Sequence, residues 1–212
     1  LARCMHDPQV IHAMWLARTI GYLRQTKSLP LTYSRAESRA GALYAQVNDS
    51  RAPLEILAGF TDANFANSRE EQRKSISGFC MFLHGSCVMW KSKLQPITAC
   101  STHEAELIAL SAAADEAVWA KRLLGEIGVV IENAVPMMCD NQSTVFTVHN
   151  PVLSSRSKHL EVRMFKARQY IAAGMIDAMY CPTKHNVADF FTKSLDRVLF
   201  ERFRNIIMNY NP

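Results

Sequence analysis

Four acidic residues stand out because each follows a strand-like run or lies on a helical pattern next to a loop. Asp62 follows an apolar run, Asp140 follows the buried run Val135–Cys139, and Glu106 lies in the first turns of a long helical pattern. Asp189 lies on a short predicted helix near the end of the chain. Carboxylates gathered at one point repel each other unless a cation lies between them. Their placement therefore predicts an oxygen-lined cation site.

The donor chemistry of this predicted site favours Mg²⁺ or Mn²⁺, because carboxylate oxygens are hard ligands. Two such ions ~3.5–4 Å apart can activate a water and stabilise the leaving oxygen in phosphodiester cleavage. Each acid also has an ordinary structural interpretation. Asp62 suits a turn, Asp140 a helix cap, Glu106 the positive end of a helix dipole, and Asp189 a solvated helix. Only their joint placement favours chemistry.

Size and composition indicate one globular domain, or one domain with an appendage. The chain has 212 residues, of which 49% are hydrophobic and 20% charged. No stretch is long and apolar enough to be expected to span a membrane. The start of the chain does not resemble a signal peptide, and the missing initiator Met suggests a fragment of a longer protein. The net charge of +5 is compatible with a polyanionic partner without being evidence for one. Scattered cysteines, with no zinc-ligand spacing to histidine, predict buried reduced thiols in an intracellular protein.

The hydrophobic pattern predicts an α/β fold with a mixed five-stranded sheet flanked by helices. Three consecutive strands form an antiparallel meander, and two later strands, separated by helices, add in parallel. The aromatic side chains Trp15, Trp119, Phe146 and Phe165 are expected in the core. The predicted strands cover 54–60, 78–83, 87–90, 135–139 and 175–181, with a further short strand over 29–33. The predicted helices cover 7–26, 101–128, 141–148, 159–173, 186–194 and 197–208.

Seven short motifs lie in order between about Glu55 and Asn205. They read GFTDA at 59–63, RKSISG at 73–78, WKSKLQP at 90–96, EAE at 104–106, CDNQS at 139–143, SRSKH at 155–159 and ADFFTK at 188–193. Together they resemble the ribonuclease H domain of Ty1/copia-type retrotransposon Pol polyproteins. Residues 1–33 resemble the end of the connection between reverse transcriptase and that domain. The resulting domain prediction is a connection segment at 1–33, a linker or insertion at 34–53, and an RNase H-like domain at 54–212.

The resemblance implies an RNase H-like fold that cleaves the RNA strand of RNA–DNA hybrids with two Mg²⁺ ions, for which Mn²⁺ can substitute. It assigns catalysis and metal binding to Asp62, Glu106, Asp140 and Asp189. Glu106 is preferred over Glu104 because it fits the family's Glu-x-x-Ala pattern. The implied partners are the hybrid and a reverse transcriptase polymerase domain in the same polyprotein, with no membrane. The implied location is intracellular, in a cytoplasmic virus-like particle or the nucleus.

Two departures from the family pattern stand out. Asn64 occupies the second acidic position of the usual Asp-Ala-Asp, and the stretch 34–53 is longer than the usual link. We expect chemistry to survive, since Asp62 itself remains. His185 lies on the loop before Asp189, where many ribonucleases H place a histidine that helps product leave. An ordinary loop histidine is the alternative.

A hybrid is recognised by its shape and its 2′-hydroxyl groups, which requires cations for phosphates and small polar groups for the minor groove. For single lysines a solvated surface is the simpler interpretation. Asn141 and Gln142 are stronger candidates, because they adjoin Asp140. The complete set of predicted substrate-binding residues is Arg73, Lys74, Ser75, Lys91, Ser92, Lys93, Asn141, Gln142, Arg156, Lys158 and Lys184.

Two other functions use the same fold. A catalytically inactive relic or tether would bind nucleic acid without cutting it, and the Asn64 change and the long 34–53 stretch favour that alternative. An integrase or transposase core is disfavoured, because the sequence contains neither a His-His-Cys-Cys zinc segment nor a suitably spaced third acid after Asp140. No Tyr-x-Asp-Asp turn occurs, so polymerase activity does not belong to this chain.

Overall fold

The structure is a computed structural model that describes residues 5–33, 39–48, 56–68, 73–150 and 161–210. The chain divides into two compact units, Leu1–Leu31 and Thr32–Pro212. The predicted substrate-binding residues Arg156 and Lys158 lie outside the described residues.

The first unit contains helix α1, Val10–Thr26. The predicted helix is confirmed, but it begins at Val10 rather than at residue 7, with Gln9 at its N-cap. The Gln9 backbone N–H donates to His12 Nδ1 at 2.9 Å, so the side chain of the third helical residue caps the start of the helix. No residue of α1 is buried, so the prediction that Trp15 lies in a core is wrong.

The predicted strand at 29–33 is not formed. Pro30 has no N–H to donate, which makes it a poor member of a ladder. The Thr32 N–H instead donates to the Met208 carbonyl at 3.0 Å.

The second unit is built on the predicted mixed five-stranded sheet, which is confirmed. The strands are β1 Leu57–Ser68, β2 Lys74–Leu83, β3 Ser86–Leu94, β4 Val135–Cys139 and β5 Ile176–Tyr180. Their order in the sheet is β3-β2-β1-β4-β5, with antiparallel pairing among the first three strands of the chain and parallel pairing of β1 with β4 and β4 with β5. A tight turn joins β2 to β3 through His84 and Gly85, whose φ angles are 46° and 76°.

Strand β1 is longer than its apolar pattern predicts. The pattern places Asp62 after the end of the strand, but β1 continues through it, and Asp62 pairs with Gly78 of β2. The prediction that Asp62 ends a strand is therefore wrong. Antiparallel pairing with β2 supplies hydrogen bonds to the polar residues beyond Phe60, so the strand persists where its hydrophobic pattern stops.

Helix α3, Thr102–Glu126, begins within one residue of the predicted start. Ser101 is its N-cap, and the Ser101 hydroxyl accepts a hydrogen bond from the Glu104 N–H at 3.1 Å. Its inner face packs on the sheet through leucines and alanines, among them Leu107 and Leu110. The remaining helices are α2 Arg39–Asn48, α4 Gln142–His149, α5 Glu161–Ala172 and α6 Arg197–Ile207, with two short 3-10 helices at Thr183–His185 and Val187–Phe191.

Three aromatic residues predicted for the core are exposed instead. Trp119, Phe146 and Phe165 are 55%, 69% and 41% exposed. Hydrophobicity alone suggested burial, but Trp119 follows Val118 directly, and consecutive residues on a helix point in different directions. Their position on the helix, rather than their residue type, decided their exposure.

Helix α2 lies in the stretch 34–53, which the sequence predicts as a linker or insertion. Ala40, Leu43 and Tyr44 are buried at helical spacing, and α2 packs against α6. The assignment of the domain boundaries at 33 and 53 stays a prediction, but this stretch contributes a packed helix to the second unit.

Four cysteines are buried free thiols, as predicted: Cys80, Cys87, Cys139 and Cys181. Cys100 is an exposed free thiol. Across the part of the chain that the structure describes, no helix combines the length and the hydropathy needed to cross a membrane.

Gly78 permits a close contact between β2 and residues 186–193, which we call the Asp189 segment. A Cβ atom at position 78 would lie 2.6 Å from Thr192 Cγ2 and 2.9 Å from Phe191 Cβ. Replacing Gly78 with alanine is therefore expected to push the segment away and lower the free energy of unfolding by about 1–3 kcal/mol, as overpacking does. Urea denaturation measures this loss.

Gly125→Ala in α3 is the matched control, because nothing lies within 4 Å of the new methyl group. Alanine is favoured over glycine in a helix by up to about 1 kcal/mol, so this variant is expected to be at least as stable as the parent. Equal stabilities of the Gly78→Ala and Gly125→Ala variants would contradict the close contact.

Candidate active site

The structure brings the four predicted acids together. Asp62, Glu106 and Asp189 are buried, and Asp140 is partly exposed directly after β4. One carboxylate oxygen from each of Asp62, Asp140 and Asp189 lies within 4.8 Å of the other two. Glu106, Cys139 and Asp140 form an overlapping group by the same distance. We call the four carboxylates the acid cluster.

Strand pairing explains why two of these acids meet. The last pair in the parallel β1–β4 ladder joins Thr61 to Cys139. Asp62 follows Thr61 on β1, and Asp140 follows Cys139 directly after β4. The two acids therefore lie side by side at the edge of the sheet where β4 ends.

Helix α3 supplies Glu106, whereas Glu104 has a structural contact. The Glu104 carboxylate accepts a hydrogen bond from the Cys100 N–H at 2.7 Å, and so helps cap the helix. The Glu106 carboxylate accepts a hydrogen bond from the backbone N–H of Ala63. It also lies close enough to Asp62 for the Asp62 charge to raise its pKa. The geometry thus favours Glu106 as the member of the cluster.

The Asp189 segment is tied to β1 by side-chain hydrogen bonds. The Asn186 amide donates to the Thr61 carbonyl at 2.9 Å. The Thr192 hydroxyl donates to Asp62 Oδ2. The predicted helix at 186–194 is thus a short 3-10 helix, held by contacts that no local pattern shows.

Asn64, the departure from the family's acidic pattern, makes a third link. Its Nδ2 donates to the Thr192 carbonyl at 3.1 Å. An ionised aspartate has no proton to donate, so it could not make this contact. Asn64 therefore has a structural function next to the acid cluster.

Sequence reasoning missed Lys193 and Thr192 as site residues. The Lys193 ammonium lies 2.8 Å from Asp189 Oδ1 and 3.6 Å from Asp62 Oδ1. The spacing of four residues between Asp189 and Lys193 was a signal for the first contact. The contact of Thr192 with Asp62 joins residues 130 apart in the chain, so no local signal could have found it.

Burial and mutual repulsion make ionisation of these acids unfavourable. Burial, then the charges of Asp62 and Asp140, raises the pKa of Glu106 to about 9. Burial and the charge of Asp62 raise the pKa of Asp189 to about 7, against the opposing effect of Lys193. Burial also raises the pKa of Asp62. The site therefore needs positive charge to hold its acids ionised at neutral pH.

These residues fit a hard divalent cation. The acid cluster offers several carboxylate oxygens, which suit Mg²⁺ or Mn²⁺. Cys139 does not add a soft ligand, because burial raises the pKa of its thiol well above the usual value. The acid cluster could therefore hold metal ions through oxygen alone.

Several predicted substrate-binding residues already have partners within the protein. The Lys91 ammonium lies 2.8 Å from a Glu116 carboxylate oxygen. The buried Ser75 hydroxyl accepts a hydrogen bond from the Ala66 N–H at 3.2 Å. The Asn141 side chain caps α4.

Other predicted substrate-binding residues lie on the surface. Lys74, the first residue of β2, is partly exposed. On edge strand β3, Lys93 pairs with Ser77, which pairs in turn with Ala63, the residue after Asp62. The residues that are exposed are Arg73, Ser92, Lys93, Gln142 and Lys184.

His185 has a cationic neighbour. Its Nδ1 lies 3.0 Å from Arg202 Nη2, and an arginine can only donate. Burial, followed by the charge of Arg202, lowers the pKa of His185. Its function in product release stays a prediction.

Sequence relatives are found among transposon polyproteins. The chain is 35% identical over 152 residues to the retrovirus-related Pol polyprotein from transposon TNT 1-94 of Nicotiana tabacum, covering 72% of this chain and 11% of that protein. It is 26% identical over 207 residues to the corresponding polyprotein from transposon RE1 of Arabidopsis thaliana, covering 98% of this chain and 13% of that protein. The chain thus spans roughly a tenth of the length of these polyproteins.

A third relative is much shorter. Secreted RxLR effector protein 161 of Plasmopara viticola is 35% identical over 119 residues, which cover 56% of this chain and 72% of that protein. No family model matches the chain.

Among solved structures, RNase H1 from Halobacterium salinarum aligns with 64% of this chain and 93% of its own, at 16% identity and a TM-score of 0.47. A TM-score below 0.5 does not support a statement about this chain, so the family relationship depends on the sequence relatives. The match to the RE1 polyprotein covers 98% of this chain and so includes the motifs that carry the acid cluster. The chain is therefore homologous to the Pol polyproteins of copia/Ty1 retrotransposons, in the region whose motifs resemble their ribonuclease H domain.

Proposed function

We propose that this domain is a metal-dependent ribonuclease that cleaves the RNA strand of RNA–DNA hybrids during reverse transcription. One observation supports it above all. Oxygens of Asp62, Asp140 and Asp189 lie within 4.8 Å of one another, although two of these side chains are buried. Uncompensated charges are costly to bury, so a cluster of this kind suits a site that binds cations.

The acid cluster would hold two Mg²⁺ ions, for which Mn²⁺ can substitute. Bound divalent ions supply an activated water and stabilise the charge that develops on the leaving oxygen. Asp140 belongs both to the group with Asp62 and Asp189 and to the group with Glu106 and Cys139. We therefore propose that Asp140 is a ligand that the two ions share. The hydrogen bond from Thr192 orients Asp62, and the bond from the Ala63 N–H orients Glu106.

The substrate would be bound by shape and charge rather than by base sequence. Asp140, the least buried member of the acid cluster, opens toward solvent beside Gln142. Lys93 on β3 and Lys74 on β2 are within the same sheet as Asp62 and are available for phosphates. Arg156 and Lys158 are proposed phosphate contacts on sequence grounds alone. The polymerase domain of the same polyprotein would deliver the hybrid, in a cytoplasmic virus-like particle or the nucleus.

Cleavage of matched duplexes tests the function. With Mg²⁺, we expect the chain to cut the labelled RNA strand of an RNA–DNA hybrid and to leave RNA–RNA and DNA–DNA duplexes intact. Asp140→Asn should lower the rate by more than the about 10–100-fold that loss of an outer-shell metal partner costs. Circular dichroism verifies that the variant is folded. Full activity of Asp140→Asn would refute the assignment, and hybrid binding without cleavage in Mg²⁺ or Mn²⁺ would favour an inactive relic.

A pair of glutamine variants separates the two glutamates of α3. Glu106→Gln is expected to abolish cleavage, because it removes a carboxylate from the acid cluster. Glu104→Gln is expected to retain cleavage and to change the free energy of unfolding little, since the glutamine amide oxygen can still accept the hydrogen bond from the Cys100 N–H. Cleavage rates and urea denaturation of both variants measure the contrast. The reverse pattern would move the predicted ligand from Glu106 to Glu104.

The raised pKa of Glu106 predicts how stability depends on pH in the metal-free protein. The folded protein keeps the Glu106 proton up to a pKa of about 9, while the unfolded chain releases it near 4.5. Between these values the folded state binds more protons, so the free energy of unfolding falls as the pH rises. Asp189, whose pKa rises from 3.8 to about 7, adds to the fall in the lower part of this range. Urea denaturation in EDTA at a series of pH values measures the slope.

Glu106→Gln removes the group with the larger pKa shift, so it is expected to flatten the dependence of the free energy of unfolding on pH. Saturating Mg²⁺ is expected to flatten the same dependence in the parent protein. Glu201→Gln, which alters an exposed pair with Arg197 on α6, is the control and should keep the parent slope. A parent protein whose stability rises with pH over this range would contradict the burial of uncompensated acids.

A further inference from the structure

The acid cluster contains a cation supplied by the protein itself. The Lys193 ammonium contacts both Asp189, at 2.8 Å, and Asp62, at 3.6 Å. Within the described residues, no other Lys or Arg makes an ion pair with the cluster. The acids that it contacts are 1% and 3% exposed, whereas the Lys193 side chain is 32% exposed. The charge therefore reaches buried carboxylates from a side chain that is still open to solvent.

We propose that Lys193 is the resident counter-ion of the acid cluster: its ammonium pairs with Asp62 and Asp189 in the metal-free protein and competes with divalent ions for the same oxygens. This inference depends on the proposed function only in assuming that the cluster binds divalent cations. It gives Lys193 a positioning function, because the residue holds the acids in place and sets how readily the ions bind.

Hydrogen bonds hold the backbone around Lys193, and a flexible, partly exposed side chain carries its charge to the acids. The preceding residue, Thr192, donates to Asp62 and accepts from the Asn64 amide at 3.1 Å. The Lys193 N–H donates to the Asp189 carbonyl at 3.2 Å. Beyond the Cα atom, a lysine has a flexible four-carbon stem and a compact charge. The ammonium can therefore withdraw toward solvent without moving the carboxylates.

Competition follows from charge and from shared donors. Asp62 Oδ1 and Asp189 Oδ1 are the oxygens nearest the ammonium, and these two acids also belong to the group of neighbouring ligand atoms. A divalent ion that binds the same carboxylates repels a lysine kept at this distance. The ammonium and the ion therefore each weaken the binding of the other, and this coupling is reciprocal.

Removal of the ammonium tests the proposal on the full chain. Lys193→Met keeps the length of the side chain and removes its charge, and Lys193→Gln keeps a hydrogen-bond donor in case the methionine variant does not fold. Mn²⁺ binding to EDTA-treated protein is measured from the loss of the electron paramagnetic resonance signal of free Mn²⁺. We expect the variant to bind Mn²⁺ about tenfold more tightly, within the usual range for two coupled ligands.

Melting temperature gives a second measurement. Without metal, the variant is expected to melt at a lower temperature than the parent, because the buried acids have lost their counter-ion. With saturating Mn²⁺ the difference should shrink, because the ions replace the lost charge. Lys166→Met is the matched control: it breaks a Lys–Asp pair of 2.6 Å with Asp115, which lies more than two helical turns along α3 from Glu106, and it should leave Mn²⁺ affinity unchanged.

Equal or weaker Mn²⁺ binding by the Lys193 variants overturns the proposal, as does a lack of Mn²⁺ binding by parent and variants alike. A lysine that served only to contact substrate phosphate would give equal binding. These results do not depend on cleavage. A parent protein that binds Mn²⁺ more weakly than Lys193→Met, but cuts no hybrid, would refute the ribonuclease and leave the function of Lys193 standing.

Discussion

Repulsion between carboxylates that the fold forces together is the constraint on which the rest of this structure depends. Strand β1 continues past the end of β4, so Asp62 and Asp140 lie side by side at the edge of the sheet. Helix α3 adds Glu106, and the Asp189 segment adds a fourth acid. Burial raises the pKa of three of them, which means that the protein gives up stability to keep them in place. An arrangement of this cost is expected at a functional site rather than in an ordinary core.

The Asp189 segment shows how the fold holds such an arrangement. It has the weakest local structure of the four acid-bearing elements, a short 3-10 helix. Its position depends on long-range contacts: Asn186 with the Thr61 carbonyl, Thr192 with Asp62, and the close approach that Gly78 permits. These contacts hold the backbone of the segment against β1 and β2. The proposed exchange of the Lys193 ammonium for a metal ion would then need only the flexible lysine side chain to move.

The hydrogen bond that Asn64 makes in the structure changes the interpretation of this residue. As a departure from the acidic pattern of the family, it favoured a decaying copy. In the structure its amide donates to the Thr192 carbonyl, which an ionised aspartate could not do. Helix α2, within the long 34–53 stretch, contributes Ala40, Leu43 and Tyr44 to buried positions. Neither departure now counts against an intact fold, although neither demonstrates activity.

Local sequence by itself determined the sheet and helix α3 and singled out the four acids, because apolar periodicity and short motifs depend on neighbours within a few turns. It failed where long-range pairing overrides local pattern, as in the continuation of β1 past Asp62. It also failed for exposed aromatic residues such as Trp119, whose burial depends on the direction in which a helix presents them. Only the tertiary structure brought Thr192 and Lys193 to Asp62. The choice of Glu106 over Glu104 already came from the motif, and the contact of Glu104 with the Cys100 N–H supports it. The contacts of Thr192 and Lys193 with Asp62 join residues far apart in the chain, and their energies exist only after the sheet, α3 and the Asp189 segment have packed together.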